Sequence, residues 1–363
     1  MRKPDFSRFK KTLLLQGEPD YLPLFDSVDH QVKKALLGKP ITGPKEEIEF
    51  ATTAGYDYVH FMTGLRPWWR SLALSRKDGE PVLKENVFKA QTARYSVYTE
   101  EEEEKGWAPE GQGNITTLKE FEEFNWPPMS VFDFSGLDAI KDCLPPLMQV
   151  IATNDGFYTP VWLLMGGETF YLSLLQNPEL VGRMFEKVGA IQFALIQKAV
   201  SYDVVGALRI NDDIAYNQTT LVSPKFLRQY FFPWLKKVGD LCKEKNIPLI
   251  YHSDGNLTNV LDDIIAAGVK GLHPIQPNAM DISVLKKSVG DKLCLLGNID
   301  MDIMARKSPD DVKELVFKNL RNIAPGGGYI LGASNSVPEY IPLKNYNAMR
   351  ETALECGRYP ISV

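Results

Sequence analysis

From residue 21 onward the chain repeats one unit eight times: a short apolar run that stops at a polar or acidic residue, followed in most cases by a stretch with helical spacing. The runs are 21–25 before Asp26, 56–62, 147–152 before Asn154 and Asp155, and 205–210 before Asn211, Asp212 and Asp213. The other four are 247–251 before His252 and Asp254, 269–273 before Gln276, 293–296 before Asn298 and Asp300, and 329–332 before Asn335. Eight buried strands alternating with helices predict an α/β fold, the (β/α)8 TIM barrel. Such barrels place their chemistry at the C-terminal ends of the strands, so the polar residues that end the runs are the candidate site.

The chain reads as one domain over residues 1–363, because barrels with insertions commonly reach this length. The segment SPKFLRQYFFPWLKKVGDLCKEK has Ser223 as N-cap and Pro224 at the first helical position, and predicts the outer helix after the fourth strand. Residues 257–267, 282–288, 309–323 and 343–356 repeat the theme. A long insertion after the second strand, residues 63–128, interrupts it. That insertion predicts a hairpin around LSRKDGEPVL and a strand in KAQTARYSVYTE, then the acid run 100–104, read as a solvated edge. An insertion on a βα loop belongs on the active-site face. In GLRPWW, Arg66, Trp68 and Trp69 follow the second strand directly, and the tryptophans serve either to cover an apolar substrate or to pack beneath the insertion.

A net charge of -5 with no clustered run of Lys and Arg excludes the electrostatic footprint of a nucleic-acid or anionic-membrane binder and leaves a small-molecule enzyme as the expectation. The apolar stretch near the N-terminus, residues 13–15, is too short for a secretory leader, and no run approaches a membrane span, so a cytoplasmic protein is expected. Cys143, Cys242, Cys294 and Cys356 are widely separated, which argues against disulfides and a thiolate zinc site.

Of four histidines, His60, His252 and His273 fall at or near strand ends. In IPLIYHSDGN the strand stops at His252, Asp254 follows two positions later, and Gly255 permits the turn into the next helix. Residues two apart in an extended strand point to the same side, so imidazole and carboxylate converge on one reacting group or metal, unless Asp254 merely caps the helix near Asn256. In RINDDIAYNQ the adjacent acids Asp212 and Asp213 point to opposite sides: one faces the pocket, the other a loop or an ion pair with Arg209. With Asp26, Asp155 and Asp300 they form an acid-rich rim that either raises carboxyl pKa values, giving general acids, or holds a cation. PGGGY at residues 325–329 precedes a strand and reads as a turn, not a nucleotide loop.

LVSPKFLRQYFFPWLKK, HSDGN, LLGNIDMDIM, YILGASNSVPEYIPLKNY and ALECGRYP, in that order, resemble the uroporphyrinogen decarboxylase superfamily, a barrel family that holds decarboxylases and corrinoid-dependent methyltransferases. True decarboxylases of the family carry an arginine-rich segment resembling MRQAGRY after the first strand, where this chain has FDSVDHQVK, and a His where this chain has Asn335. The thiol-methylating branch holds zinc through an HxC pair and a later Cys; His252 matches the first ligand, but Asp254 and Asn335 stand where the sulfurs would be.

The resemblance therefore implies the methyl-donor side: transfer of a methyl group from a small methylated compound, such as an aryl methyl ether, to the corrinoid of a partner protein. On that reading His252, Asp254 and Asp212 are catalytic, with His252 or Asp254 protonating the departing oxygen. Asp26, Asp213, Asn298 and Asn335 orient the substrate; Trp68, Trp69, Tyr158 and Trp162 form apolar walls. His252 and Asp254 are also a candidate site for weakly bound zinc. A decarboxylase of a tetrapyrrole or other carboxylic acid, and a non-catalytic barrel that binds a corrinoid or tetrapyrrole, are the alternatives.

Overall fold

The computed structural model describes residues 2–65 and 113–363 and, between them, the backbone of four short strands. Arg66, Trp68 and Trp69 lie outside the described residues. Seven parallel strands form one sheet in chain order: β1 (Tyr58–Met62), β6 (Gln149–Asn154), β7 (Val205–Asn211), β8 (Leu249–His252), β9 (Gly271–His273), β10 (Cys294–Ile299) and β11 (Tyr329–Ala333). Parallel neighbours need a crossover between them, and helices such as Pro178–Ala199, Phe232–Glu244 and Pro309–Asn322 supply it. The strands are buried on both faces, which is why they read as continuous apolar runs and not as alternating ones.

The first run, 21–25, is not a full strand. It touches the sheet through single bridges, Leu24 parallel to Leu331 and Val28 parallel to Val337. Pro23 has no N–H to give to a ladder, and only its carbonyl takes part, accepting from Leu331 at 3.1 Å. Toward β1 the join is made by side chains: the Tyr58 hydroxyl lies 3.0 Å from the Asp26 amide, and His60 Nε2 lies 3.1 Å from the Asp26 carbonyl.

The sheet is strongly curled. Phe25, beside β11, meets His60 of β1 at 5.6 Å between ring centroids and His273 of β9 at 4.9 Å, while Arg209 of β7 lies 5.5 Å from the same Phe25 ring. One end of this interior is stoppered by the helix Phe6–Leu13. Asp5 caps it, and its apolar face carries Phe6, Phe9 and Leu13 inward. Phe9 packs on Phe25 and Tyr58, and Cβ atoms at Gly206 and Gly271 would strike Phe6 and Leu13. Large residues on the helix thus require small ones on the strands beneath it.

In residues 63–128, β2 (Arg76–Lys77) pairs antiparallel with β3 (Glu80–Pro81), as the KDGE turn predicts, and β4 (Gln91–Tyr95) pairs with β5 (Glu103–Trp107). Glu103 and Glu104 of the acid run open β5, an edge strand of this two-stranded ladder. The chain returns at Gly113, Asn114 and Ile115, whose amides donate to Met165 and Leu164 carbonyls. The single helix expected after β7 is two, Pro224–Tyr230 and Phe232–Glu244. Ser223 caps the first as expected, and Pro233 restarts the second because it lacks an N–H and belongs in a first turn. The three glycines of PGGGY all have positive φ, 82°, 77° and 63°, which makes the segment a turn into β11. Among the described residues no helix is long and apolar enough to cross a membrane.

Candidate active site

Parallel register decides which polar residues meet. Asn211, His252 and His273 are paired across β7, β8 and β9, at the strands' C-terminal ends. Residues two positions beyond Asn211 and His252 point the same way, which sets Asp213 beside Asp254. The Asp254 amide donates to Asp213 Oδ1 at 2.9 Å. His252 Nε2 faces both acids, 3.8 Å from Asp213 Oδ1 and 3.9 Å from Asp254 Oδ1. From beyond β11, Asn335 Nδ2 donates to Asp254 Oδ2 at 2.8 Å. Gly255 makes the turn that follows: its φ is +87°, and a Cβ there would lie 2.5 Å from the Tyr216 nitrogen.

The cluster is graded in exposure. His252 is buried, Asp254 is about one third exposed at 34% and Asp213 about half at 49%, so the acids form the mouth and the imidazole the floor. Asp254 Oδ1 is itself shielded from solvent and accepts no hydrogen bond among the described residues. Burial, then the charge of Asp213, push the Asp254 carboxyl up to about 6, against the pull of the Asn335 amide and Arg209.

Under His252 lies a second layer whose contacts with the ring the sequence did not reveal. Arg209 donates from Nη2 to His252 Nδ1 at 2.7 Å and to Asn211 Oδ1 at 3.1 Å, and from Nη1 to Ser27 Oγ at 2.5 Å. His273 Nδ1 approaches the same His252 Nδ1 at 2.6 Å. Burial, then the guanidinium charge, hold His60 down at about 3 and His273 well below the ordinary imidazole range, so both stay neutral.

The other expected site residues lie elsewhere. Asp212 points away from the pocket: it is fully buried, accepts from Tyr158 N and Thr159 N at 2.7 Å each and from Phe157 N, and so caps the helix Tyr158–Met165. Three of its roughly four acceptor sites are taken by these amides, so it anchors the start of that helix and does not face the pocket. The pocket-facing member of the pair is Asp213. Asp26 is also buried, accepting from Ala333 N at 2.8 Å and from the Tyr56 hydroxyl at 2.8 Å, and burial pushes it up to about 7. It ties the first run to β11 and does not face a substrate.

Asn298 turns outward, where its Oδ1 accepts from Asn319 Nδ2 at 2.9 Å; it lines a cavity of about 310 Å³ between β10 and the outer helices, apart from His252. Asp300 caps the helix Met301–Arg306, and Asp155 is buried. Tyr158 packs on Phe170 and Phe185 in the helix layer, so it is core and not a pocket wall. Trp162 is half-buried against Gly167. Of the named residues, the structure unites His252, Asp254, Asp213 and Asn335.

Asp213, His252 and Asp254 each present one ligand atom, all within 4.8 Å of one another, a spacing that would suit a divalent ion. The set has two carboxylates and one imidazole and no thiolate, and the four cysteines are unpaired, with Cys242 and Cys294 buried in the core.

The profile of the family described as uroporphyrinogen decarboxylase (URO-D) matches residues 99–356. Among curated proteins the chain is 26% identical over 190 residues to the methylcobamide:CoM methyltransferase MtbA of Methanosarcina acetivorans, covering 52% of this chain and 53% of the relative. It is 23% identical over 184 residues to the uroporphyrinogen decarboxylase of Coxiella burnetii, 49% of this chain and 48% of the relative. The chain thus spans about half the length of the curated relatives it matches. Among solved structures, a methyltransferase from Methanosarcina mazei has the same fold, with a TM-score of 0.68 at 17% identity over 98% of this chain and 99% of that one.

Proposed function

Since the chain belongs to the uroporphyrinogen decarboxylase family, we propose that it is the methyl-donor type of enzyme within it: a methyltransferase that takes a methyl group from a small methylated compound, a methoxyaromatic one, and delivers it to the corrinoid of a separate protein. On this reading the seven strands and the 21–28 segment close as a (β/α)8 barrel, and residues 63–128 are an insertion that walls the site face. The similarity to methylcobamide:CoM methyltransferases supports the class of reaction. The observation that carries the reading is the convergence of His252, Asp254 and Asn335 on one point at the strand ends, with Asp254 held near the pH at which a carboxyl gives up a proton.

A reduced corrinoid, when docked, supplies the nucleophile that accepts the methyl carbon. The work of this chain is at the other end of the breaking bond. As the methyl–oxygen bond opens, its electron pair stays on the oxygen, and Asp254, protonated at the shielded Oδ1, hands that oxygen a proton. His252 Nε2 faces the same point and fixes the oxygen in place. Asn335 holds Asp254 Oδ2, which leaves Oδ1 as the reacting atom. Asp213 keeps the Asp254 proton available by raising its pKa.

Two adjacent acids at the mouth oppose a substrate rich in carboxylates. The acids of FDSVDHQVK take no part in that repulsion, because Asp26 is buried and Asp29 caps the helix His30–Leu37. The test is to mix the protein with chemically reduced cobalamin and a panel of methoxyarenes and methylamines. Formation of methylcobalamin with release of the free phenol, followed by absorbance and chromatography, is the expected result. Release of carbon dioxide from a carboxylic acid, or tight binding of a corrinoid without turnover, would replace this reading with one of the two alternatives.

A further inference from the structure

Which ring nitrogen of His252 carries the hydrogen decides what the Asp213–His252–Asp254 cluster can hold, and the groups beneath the ring settle it. Arg209 is a guanidinium and therefore only a donor. Its Nη2 lies 2.7 Å from His252 Nδ1, so Nδ1 must present a lone pair. His273 Nδ1, 2.6 Å from the same nitrogen, shares that single lone pair with Arg209 when it carries its hydrogen there. The His273 Nε2 lone pair is then left facing the core, and among the described residues it has no hydrogen-bond partner. With Nδ1 unprotonated, a neutral His252 carries its hydrogen on Nε2, the atom that faces the two acids.

A metal ion coordinated by Nε2 needs the reverse tautomer, with hydrogen on Nδ1 and a carbonyl or carboxylate behind it to accept that hydrogen. Here the position behind Nδ1 is taken by a cation. A hydrogen on Nδ1 would point into an N–H of Arg209, in a layer where Phe25 covers the guanidinium and His60 and His273 are neutral. The spacing of the ligand atoms suits an ion, but the protons do not.

We infer that Arg209 is a positioning residue that locks His252 in the Nε2–H form, making this cluster a hydrogen-bond-donating site and excluding zinc from it. The ligand class it takes is a neutral or anionic acceptor atom, such as the oxygen of an ether or a phenolate. The inference rests on the contacts below the ring and not on methyl transfer, so it stands or falls apart from the activity assay.

With only four histidines in the chain, ¹⁵N-histidine labelling and two-bond ¹H–¹⁵N correlation spectra resolve each ring. His252, identified by the signals lost in His252→Gln, is expected to show a protonated Nε2 and an unprotonated Nδ1; an Nδ1–H ring or an imidazolium at neutral pH overturns the inference. In parallel, cobalt(II) titration followed by visible absorption is carried out on wild type, Arg209→Met and Arg209→Lys. Removing the donor in Arg209→Met should tighten cobalt binding by about 10-fold or more, the scale on which groups behind a ligating imidazole act. Arg209→Lys, which keeps a cationic donor, should bind as weakly as wild type. Stoichiometric cobalt on the wild type, or equal affinities in all three, overturns it. If Arg209→Met fails to fold, the spectra of the wild type decide alone.

Discussion

Arg209 Nη2 and His252 Nδ1 lie 2.7 Å apart in the buried layer under the mouth of the site, joining the middle of β7 to the last residue of β8. The contact links the fold to the chemistry, because the same guanidinium also reaches Ser27 in the segment that bridges to β11 at Leu24. The imidazole is held from below, while the groups that change protonation sit above it.

The proton donor proposed here, Asp254, is separable from its scaffold. Asp254→Asn keeps an oxygen for the Asn335 amide and loses only the acidic proton, so its thermal midpoint should stay close to wild type while turnover falls on the order of 10²-fold. His252→Ala should cost a similar factor and, since it also removes a buried partner of Arg209, should lower the melting temperature. A kcat measurement beside a melting curve for each variant checks both.

The pH profile carries a sign. With Asp254 near 6, turnover that needs its protonated form should be flat in acid and fall about tenfold per unit above that value. The Asn335 amide favours the charged carboxylate, so Asn335→Leu raises the Asp254 pKa and moves the falling limb to higher pH. A kcat/KM profile for both proteins measures the displacement; a limb that moved to lower pH would be the wrong direction.

Asp212 should behave as a structural residue. Asp212→Ala strands three amides at the start of the helix Tyr158–Met165, those of Phe157 and Tyr158 buried, and the loss of such a cap with unsatisfied N–H groups costs about 2–4 kcal/mol. Denaturant unfolding should show that loss, and the variant that remains folded should keep the Asp254 pH profile.

Asp26 supplies a pH dependence of stability. Its carboxyl is near 7 in the fold and near the ordinary carboxylate value of about 3.9 when unfolded, so between those values only the folded state holds the proton. Its contribution is greatest at the acid end, declines as pH rises toward 7 and is level above. Asp26→Asn can still accept from Ala333 and can donate to Tyr56, so it should fold and lose that slope. Urea midpoints from pH 5 to 8 for the pair of proteins isolate the effect.

What the sequence allowed and what it hid have physical reasons. Seven of the eight runs are strands, since a strand buried on both faces leaves an unbroken apolar run. The eighth, 21–25, looked equal to them, but Pro23 reduces it to bridges and leaves its other side to tyrosine hydroxyls, a tertiary arrangement with no local signature. His252, Asp254 and Asn335 were legible from spacing and strand ends. The choice between Asp212 and Asp213 was not, because a run without alternation conceals which side chains face inward. One clue was present: Arg209 is the single charged residue within β7, and Asn211 and Asp213 share its side. His273 was visible as a strand-end histidine, but its contact with His252 depends on the register of β8 on β9. Asn298 shows the opposite failure, a strand-end amide that turns to the helix layer and Asn319.

The helix Phe6–Leu13, wedged against Gly206 and Gly271, covers the N-terminal end of the curled sheet, opposite the strand ends that carry His252. On the proposed reading a substrate that reaches His252 from the exposed side passes Asp213 and Asp254, and a proton spent by Asp254 is restored from that same side. On that reading a docked partner would shut out the solvent that recharges the acid, so each cycle would need an interval in which the mouth is open to water.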